Sequence, residues 1–71
     1  MKGLNLQVQV NGESQEVSEG ATIAELLDSL KLPRRYVAVE RNAVVVPRLQ
    51  HGETRLAEGD CLEIVTLVGG G

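Results

Sequence analysis

A single helical stripe of aliphatic residues, set among segments with the spacing of β-strands, constrains the fold more than any other feature. The stripe follows the i, i+3, i+4, i+7 spacing of an amphipathic helix and consists of Ile23, Leu26, Leu27 and Leu30. Thr22 and Glu25 form a T-x-x-E capping box at its start. Pro33 prevents the helix from continuing. The sequence therefore predicts one helix, which can cover only one face of a sheet.

Strand patterns lie on both sides of this helix. Residues 4–10 alternate aliphatic and polar side chains, which places the aliphatic residues on one face of a strand. Asn11-Gly12 is a pair favoured in two-residue hairpins. Residues 13–17 should therefore return antiparallel to the first strand, with Val17 turned inward.

The second half of the chain contains three more predicted strands. Residues 36–41 and 44–46 are expected to pair around a turn at Arg41-Asn42, and Pro47 confines the second of them to a sheet edge or a strand end. Residues 49–56 are interpreted as a loop with room for one helical turn. The last strand is expected over residues 61–68.

The last strand is apolar on both of its faces. Leu62 and Ile64 should face the helix, whereas Val65 and Leu67 should point away from it. Exposed apolar residues at this position indicate a docking surface. A β-bulge near Thr66 would reverse the direction of the last residues and remove that inference.

Size and composition exclude several classes of function. The 71 residues contain no Phe or Trp and one Tyr, so an aliphatic core leaves no room for a deep catalytic pocket. The net charge of −3, without a basic stripe, argues against nucleic-acid binding. No apolar stretch approaches the length of a membrane span. A single cysteine excludes an internal disulfide, and a cytoplasmic location is the simplest fit.

An enzymatic interpretation would depend on Cys61, His51 and Asp60 as nucleophile, base and orienting group. Only their composition supports it. Cys61 is expected to be a packing or surface residue, and His51 to be solvated in a loop flanked by glycine. Glu40 and Arg41 are a candidate ion pair across the hairpin, without a functional role.

Three glycines, Gly69-Gly70-Gly71, follow the last predicted strand. Glycine loses more backbone freedom on ordering than any other residue, so the triplet does not stabilise a fold. Extended, three residues span about 10 Å and could carry a carboxylate into the pocket of another protein. A frayed terminus is the alternative interpretation.

Four segments distributed between residues 10 and 71 resemble the ThiS-type sulfur carriers of thiamine biosynthesis. They are Val10-Asn11-Gly12-Glu13, Thr22-Ile23-Ala24-Glu25-Leu26-Leu27, Val37-Ala38-Val39-Glu40-Arg41-Asn42 and Gly59-Asp60-Cys61-Leu62-Glu63-Ile64-Val65-Thr66-Leu67-Val68-Gly69-Gly70-Gly71. The resemblance implies an α+β fold, the ubiquitin-like β-grasp, in which one main helix packs on a mixed sheet of four or five strands. The last strand should lie parallel to the first. The expected division is a β-grasp domain over residues 1–68 and a flexible tail over residues 69–71.

The same resemblance implies a carrier without an active site of its own. The Gly71 carboxylate would be adenylated and then converted to a thiocarboxylate, with ATP used by the partner and no cofactor or metal bound to this chain. Gly69 and Gly70 would let the terminus enter a narrow channel. Ordering the tail costs about 3–6 kcal/mol, so the folded body must contribute affinity, with Val65, Leu67 and Val68 as the candidate contacts.

The implied partners are a ubiquitin-activating-enzyme-like adenylyltransferase, thiazole synthase, and a sulfur donor such as a cysteine desulfurase or a rhodanese-type protein. The free carrier is expected to be a monomer. The nearest alternative is the sulfur carrier of molybdopterin synthesis, which has the same fold and tail but a different acceptor. An alternative from another class is a ubiquitin-like interaction module whose tail has no chemical role.

Overall fold

A five-stranded mixed sheet with one α-helix across it forms the part of the chain that the computed structural model describes, residues 5–67 without the side chain of Arg34. The elements are β1 (Asn5–Val10), β2 (Glu13–Ser18), α1 (Ile23–Ser29), β3 (Val37–Arg41), β4 (Val44–Val46) and β5 (Cys61–Thr66). Short 3-10 helices at Arg34–Tyr36 and Arg48–Gln50 connect them.

The strands lie in the order β2-β1-β5-β3-β4. β5 is central, parallel to β1 on one side and antiparallel to β3 on the other. The predicted parallel pairing of the last strand with the first is therefore confirmed. β4 is an edge strand followed by Pro47, as the sequence indicated.

The predicted capping box opens the helix. Thr22 Oγ1 accepts a hydrogen bond from the Glu25 main-chain N–H at 3.2 Å, and Glu25 Oε1 accepts one from the Thr22 N–H at 3.0 Å. These reciprocal bonds satisfy two N–H groups that a helix leaves without partners at its start.

The helix ends at Ser29, four residues before Pro33, so a feature other than the proline terminates it. Lys31 has a φ of 60°, and its N–H donates to the Asp28 carbonyl at 3.0 Å. The Leu32 N–H donates to the Leu27 carbonyl, also at 3.0 Å. This pair of bonds is the Schellman motif, which terminates a helix through one residue in the left-handed conformation.

One layer of aliphatic side chains between α1 and the sheet forms the core. Leu62 and Ile64 of β5 are buried on the helix side, as predicted, and Val17 is turned inward. The other core members are Val8, Val10, Ile23, Leu26, Leu27, Val37, Val39, Val46 and Leu56. Leu4, the first aliphatic residue of the predicted first strand, lies outside the described residues.

Two predicted strand boundaries were wrong at the same end of the sheet. Tyr36 belongs to a 3-10 helix because its N–H donates to the Pro33 carbonyl at 3.0 Å. β3 therefore starts at Val37, which pairs with Thr66, and β5 ends there because its partner strand ends. The predicted strand over residues 61–68 is too long, because Leu67 already lies beyond the end of β5, and Val68 lies outside the described residues.

Both hairpins use two-residue turns with left-handed backbone. Asn11 and Gly12 have φ values of 52° and 86°, and Asn42 and Ala43 have 52° and 72°. The second turn was predicted at Arg41-Asn42, which is wrong by one residue. Arg41 stays in β3, where it pairs with Val44 and Leu62.

Replacement of Ala43 by Gly should stabilise the protein. Ala43 is exposed and has a φ of 72°, where a Cβ is sterically unfavourable. We expect a gain of about 0.5–1 kcal/mol, which for a domain of this size raises the melting temperature by roughly 2–8 °C. Thermal unfolding followed by circular dichroism measures it. A lower melting temperature would show that Ala43 is not strained.

Candidate functional site

The face of the sheet opposite α1 is divided into a polar and an apolar half. Under β1 and β2 the exposed residues are polar: Asn5, Gln7 and Gln9 on β1, and Ser14, Glu16 and Ser18 on β2. Under β5, β3 and β4 the open face carries apolar side chains together with Glu40 and Glu63. An apolar surface confined to one half of a sheet indicates where a protein partner would bind.

Four residues make up this apolar half, which we call the open-face patch: Ala38, Val45, Val65 and Leu67. Val65 is 57% exposed and alternates with buried Ile64, so the prediction that it points away from the helix is confirmed. Leu67 lies one residue beyond β5 and is 54% exposed. Ala38 lies directly opposite Val65 in the β3–β5 ladder. In the next row Glu63 pairs with Glu40 and Glu40 pairs with Val45, so the two carboxylates lie between Val45 and the Ala38–Val65 pair.

The patch lies where the chain leaves the sheet towards its terminal glycines. The Leu67 N–H donates to the Tyr36 carbonyl at 2.6 Å, which holds the first residue after β5 beside the start of β3. Val68, Gly69, Gly70 and Gly71 lie outside the described residues. Their predicted roles as contact, channel residues and reacting terminus stay predictions.

Sequence reasoning missed Ala38 and Val45. Their alternation with buried neighbours does mark them as residues of the open face. The strand order β5-β3-β4 and its register place Ala38 beside Val65 and place Val45 on the next strand, opposite Glu40. That order depends on long-range pairing that local patterns do not contain.

A shallow groove next to the patch was also missed. Pro33, Arg35, Tyr36 and Arg48 line it. The two arginines come from separate 3-10 helices, so no local sequence motif predicts the groove. Because Tyr36, which also binds Leu67, lines the groove, the arginines bring positive charge close to the end of β5.

Asp60 fixes the start of β5. Its Oδ2 accepts hydrogen bonds from Arg41 Nε and from the Ala57 N–H, both at 2.8 Å, and its Oδ1 accepts one from Asn42 Nδ2 at 3.1 Å. Arg41 is therefore the ion-pair partner of Asp60, and the predicted Glu40–Arg41 pair was wrong. Glu40 projects onto the opposite face of β3, because successive side chains of a strand alternate.

These contacts set the protonation of Asp60. Burial disfavours the charged form, but the hydrogen bonds from Arg41, Ala57 and Asn42 and the positive charge of Arg41 outweigh it. The pKa of Asp60 therefore lies below its ordinary value of 3.8. The carboxylate is a structural anchor rather than a catalytic group.

Stability should fall in acid partly because of Asp60. A group with a lowered pKa in the folded state stabilises the fold above its unfolded pKa, and the contribution is lost as the pH falls through the folded pKa. Asp60→Asn should cost about 1–2 kcal/mol at pH 7, and this cost should shrink as the pH falls below 3.8 and through the lower folded pKa. Urea unfolding of both proteins across this range measures the difference. The other carboxyl groups are common to both proteins, so a pH-independent difference would contradict this role.

The predicted solvation of His51 was wrong. The ring is 2% exposed, and Nε2 lies 3.0 Å from the Val46 carbonyl oxygen. Because a carbonyl can only accept, Nε2 carries the proton in this contact. Nδ1 has no hydrogen-bond partner within residues 5–67. The loop is buried here because its backbone binds the helix start, with the Ala24 N–H donating to the His51 carbonyl at 3.0 Å.

No catalytic triad is assembled from Cys61, His51 and Asp60. His51 uses Nε2 on Val46, and Asp60 uses both of its oxygens on Arg41, Asn42 and Ala57. Cys61 is exposed, as expected for a surface residue, and its Sγ lies 3.9 Å from the Gly59 carbonyl oxygen. The described part of the chain also contains no group of three residues that could hold a metal ion.

The described residues contain no helix that is long and apolar enough to cross a lipid bilayer. The predictions that the chain binds no nucleic acid and no cofactor, and that it is a monomer, stay predictions.

Two hairpins, one helix that lies between them along the chain and packs on the sheet, and a central last strand parallel to the first define a ubiquitin-like β-grasp domain. The crystal structure of a thiamine biosynthesis protein (ThiS) from Geobacter metallireducens superposes with a TM-score of 0.78 and 35% sequence identity. The match covers 93% of this chain and 100% of that one. The predicted fold class is thus confirmed.

Sequence comparisons specify the family. The model of the ThiS family matches residues 8–71. The sulfur carrier protein ThiS of Bacillus subtilis is 37% identical over 65 residues, which cover 90% of this chain and 98% of that protein. The chain belongs to the ThiS family of sulfur carrier proteins.

A further group of relatives is longer than this chain. A thiazole synthase from Paramagnetospirillum magneticum is 39% identical over 66 residues, and another from Magnetococcus marinus has the same identity. The match covers 93% of this chain but 20% of either relative, so the chain spans about a fifth of their length.

Proposed function

We propose that this chain carries sulfur as a thiocarboxylate on Gly71 for the thiazole ring of thiamine. Membership of the ThiS family is the observation that carries this proposal, and the family match includes residues 69–71. The relatives named thiazole synthase, which contain a region similar to nearly all of this chain, support thiazole synthase as the acceptor. They favour thiamine over molybdopterin synthesis.

The chemistry requires an activating enzyme that uses ATP. A carboxylate is a poor electrophile because its oxygen is a poor leaving group. Attack of the Gly71 carboxylate on the α-phosphorus of ATP would form an acyl adenylate and release pyrophosphate. A sulfide ion would then attack the acyl carbon and AMP would leave, which forms the thiocarboxylate directly. Where a donor protein supplies the sulfur as a persulfide, its attack would form an acyl disulfide with loss of AMP, and a thiol would then have to reduce this disulfide to release the thiocarboxylate. The resulting thiocarboxylate is a soft nucleophile suited to sulfur transfer.

The folded body would supply the affinity that the tail lacks. Ordering residues 69–71 costs about 3–6 kcal/mol, and glycines offer no apolar side chain to offset it. The open-face patch lies beside the exit of β5 and offers Val65 and Leu67 for contact. We assign to it the docking of the activating enzyme, an adenylyltransferase of the ubiquitin-activating type.

Intact-mass spectrometry tests the proposal directly. The protein is incubated with ATP, a ThiS-activating enzyme and a sulfide source, and compared with samples that lack ATP or the enzyme. We expect a mass increase that corresponds to one sulfur replacing one oxygen, located at Gly71 by fragmentation. An unchanged mass, under conditions that convert an authentic ThiS protein, would show that the tail has no such role and that the chain is an interaction module.

A further inference from the structure

The central strand β5 extends beyond the end of its parallel neighbour. The β1–β5 ladder reaches Val10, opposite Leu62, and the chain then turns away at Asn11-Gly12. β5 continues to Thr66. The end of β5, which leads to the tail, therefore has β3 on one side but no strand residue of β1 on the other.

The side chain of Asn11 takes the place of that missing strand residue. Its Oδ1 accepts a hydrogen bond from the Ile64 N–H at 2.7 Å, and its Nδ2 donates to the Ile64 carbonyl at 3.1 Å. The main-chain N–H of Asn11 donates to the Leu62 carbonyl at 2.8 Å. The side-chain amide presents one donor and one acceptor to Ile64, as a peptide group would, and extends the ladder past the turn.

Few residue types meet all the requirements of this position. The backbone of Asn11 has a φ of 52°, which glycine and asparagine adopt most readily. Glycine would keep the turn and lose both contacts to Ile64. Aspartate would keep the acceptor but set a second oxygen against the Ile64 carbonyl.

We infer that Asn11 is a positioning residue that holds the outgoing end of β5 and thereby aims the terminal glycines at the activating enzyme. The part of this inference that concerns the activating enzyme rests on the proposed function. Without Asn11, the last residues of β5 would be held by β3 alone. A smaller fraction of molecules would then present the tail correctly, and the apparent affinity for the enzyme would fall by that fraction.

The second hairpin provides a matched control at the other end of the same strand. Asn42 also has a φ of 52°, and its Oδ1 accepts a hydrogen bond from the Cys61 N–H at 3.0 Å. Its main-chain N–H donates to the Cys61 carbonyl at 2.8 Å. Asn42 thus holds the start of β5, at the other end from Thr66, through its Oδ1 contact with Cys61, whereas its Nδ2 donates to Asp60 Oδ1 at 3.1 Å.

The experiment compares Asn11→Gly with Asn42→Gly in the full chain, at a temperature where circular dichroism shows both to be folded. Amide hydrogen exchange is measured by NMR. We expect Asn11→Gly to accelerate exchange of the Ile64 amide about tenfold, and Asn42→Gly to accelerate that of Cys61 instead. If Asn11→Gly does not fold, Asn11→Asp is measured against Asn42→Asp with the same expectation.

A second experiment tests whether Asn11 helps the activating enzyme to bind the tail. It measures the rate of ATP–pyrophosphate exchange by that enzyme at increasing concentrations of the carrier. Asn11→Gly should raise KM for the carrier about tenfold and leave kcat nearly unchanged, whereas Asn42→Gly should change KM less than twofold. Equal effects of the two variants on KM, or an unchanged KM for Asn11→Gly, would overturn the positioning role. If Asn11→Gly does not change amide hydrogen exchange at Ile64, Asn11 does not stabilise the end of β5.

If the wild-type protein supports no ATP–pyrophosphate exchange, that result counts against the proposed function. Amide hydrogen exchange then still decides whether Asn11 stabilises the end of β5.

Discussion

Removal of Gly71 should abolish adenylation of this protein and leave its melting temperature unchanged. The truncated chain still ends in a carboxylate, but that carboxylate is withdrawn by one residue, about 3.5 Å. A displacement of about 1 Å in a reacting group can already cost roughly a hundredfold in rate, so activity should fall below detection. ATP–pyrophosphate exchange with the activating enzyme provides the measurement.

A substitution within the tail tests the width of the tail separately from its length. Gly70→Leu keeps the length and the terminal carboxylate but adds a side chain that a narrow channel would exclude, so it should also abolish exchange. Gly52→Leu is the matched control, because Gly52 is exposed and a Cβ built there meets no atom within 4 Å. Normal pyrophosphate exchange by the truncated chain or by Gly70→Leu would contradict the assignment of Gly71 as the activated group.

Leu67→Asp should weaken binding of the activating enzyme about tenfold or more. The half-exposed leucine would lose its apolar contact with the partner, and the new carboxylate would be desolvated at the interface. Stability should change by no more than about 0.5 kcal/mol, as for most surface substitutions. Isothermal titration calorimetry and urea unfolding measure the two quantities.

Val44→Asp is the control for this substitution. Val44 is 66% exposed, but it pairs with Arg41 at the opposite end of the sheet, where β5 begins. Its replacement should leave the affinity nearly unchanged. If Leu67→Asp unfolded the protein instead, Leu67 would belong to the core, and equal losses of affinity in both variants would remove the open-face patch as the docking surface.

Local sequence patterns were sufficient for most of the fold. The capping box, the Asn11-Gly12 turn and the alternation in β1 are decided by neighbouring residues, and the structure confirms each of them. The errors occur where long-range contacts decide the outcome. The length of β5 depends on where β3 begins, and the burial of His51 depends on contacts between a loop and the helix.

The candidate site was predictable only in part. Val65 could be assigned to the open face from alternation alone. The other open-face residues Ala38 and Val45, and the groove with Arg35 and Arg48, required the strand order. The role of Asn11 could not be found from the sequence, because an Asn-Gly pair already has a sufficient local explanation as a turn. The contact of its side chain with Ile64 spans 53 positions along the chain.

The central location of β5 has a mechanical consequence. If a partner draws the tail into its pocket, the pull acts on a central strand that is hydrogen-bonded to a neighbouring strand on each side, and not on an edge strand. Tension along β5 would load its hydrogen bonds to β1 and β3 together, whereas an edge strand would resist the same pull with one ladder. The domain can therefore resist extraction of its last strand when a partner pulls on the chain beyond it.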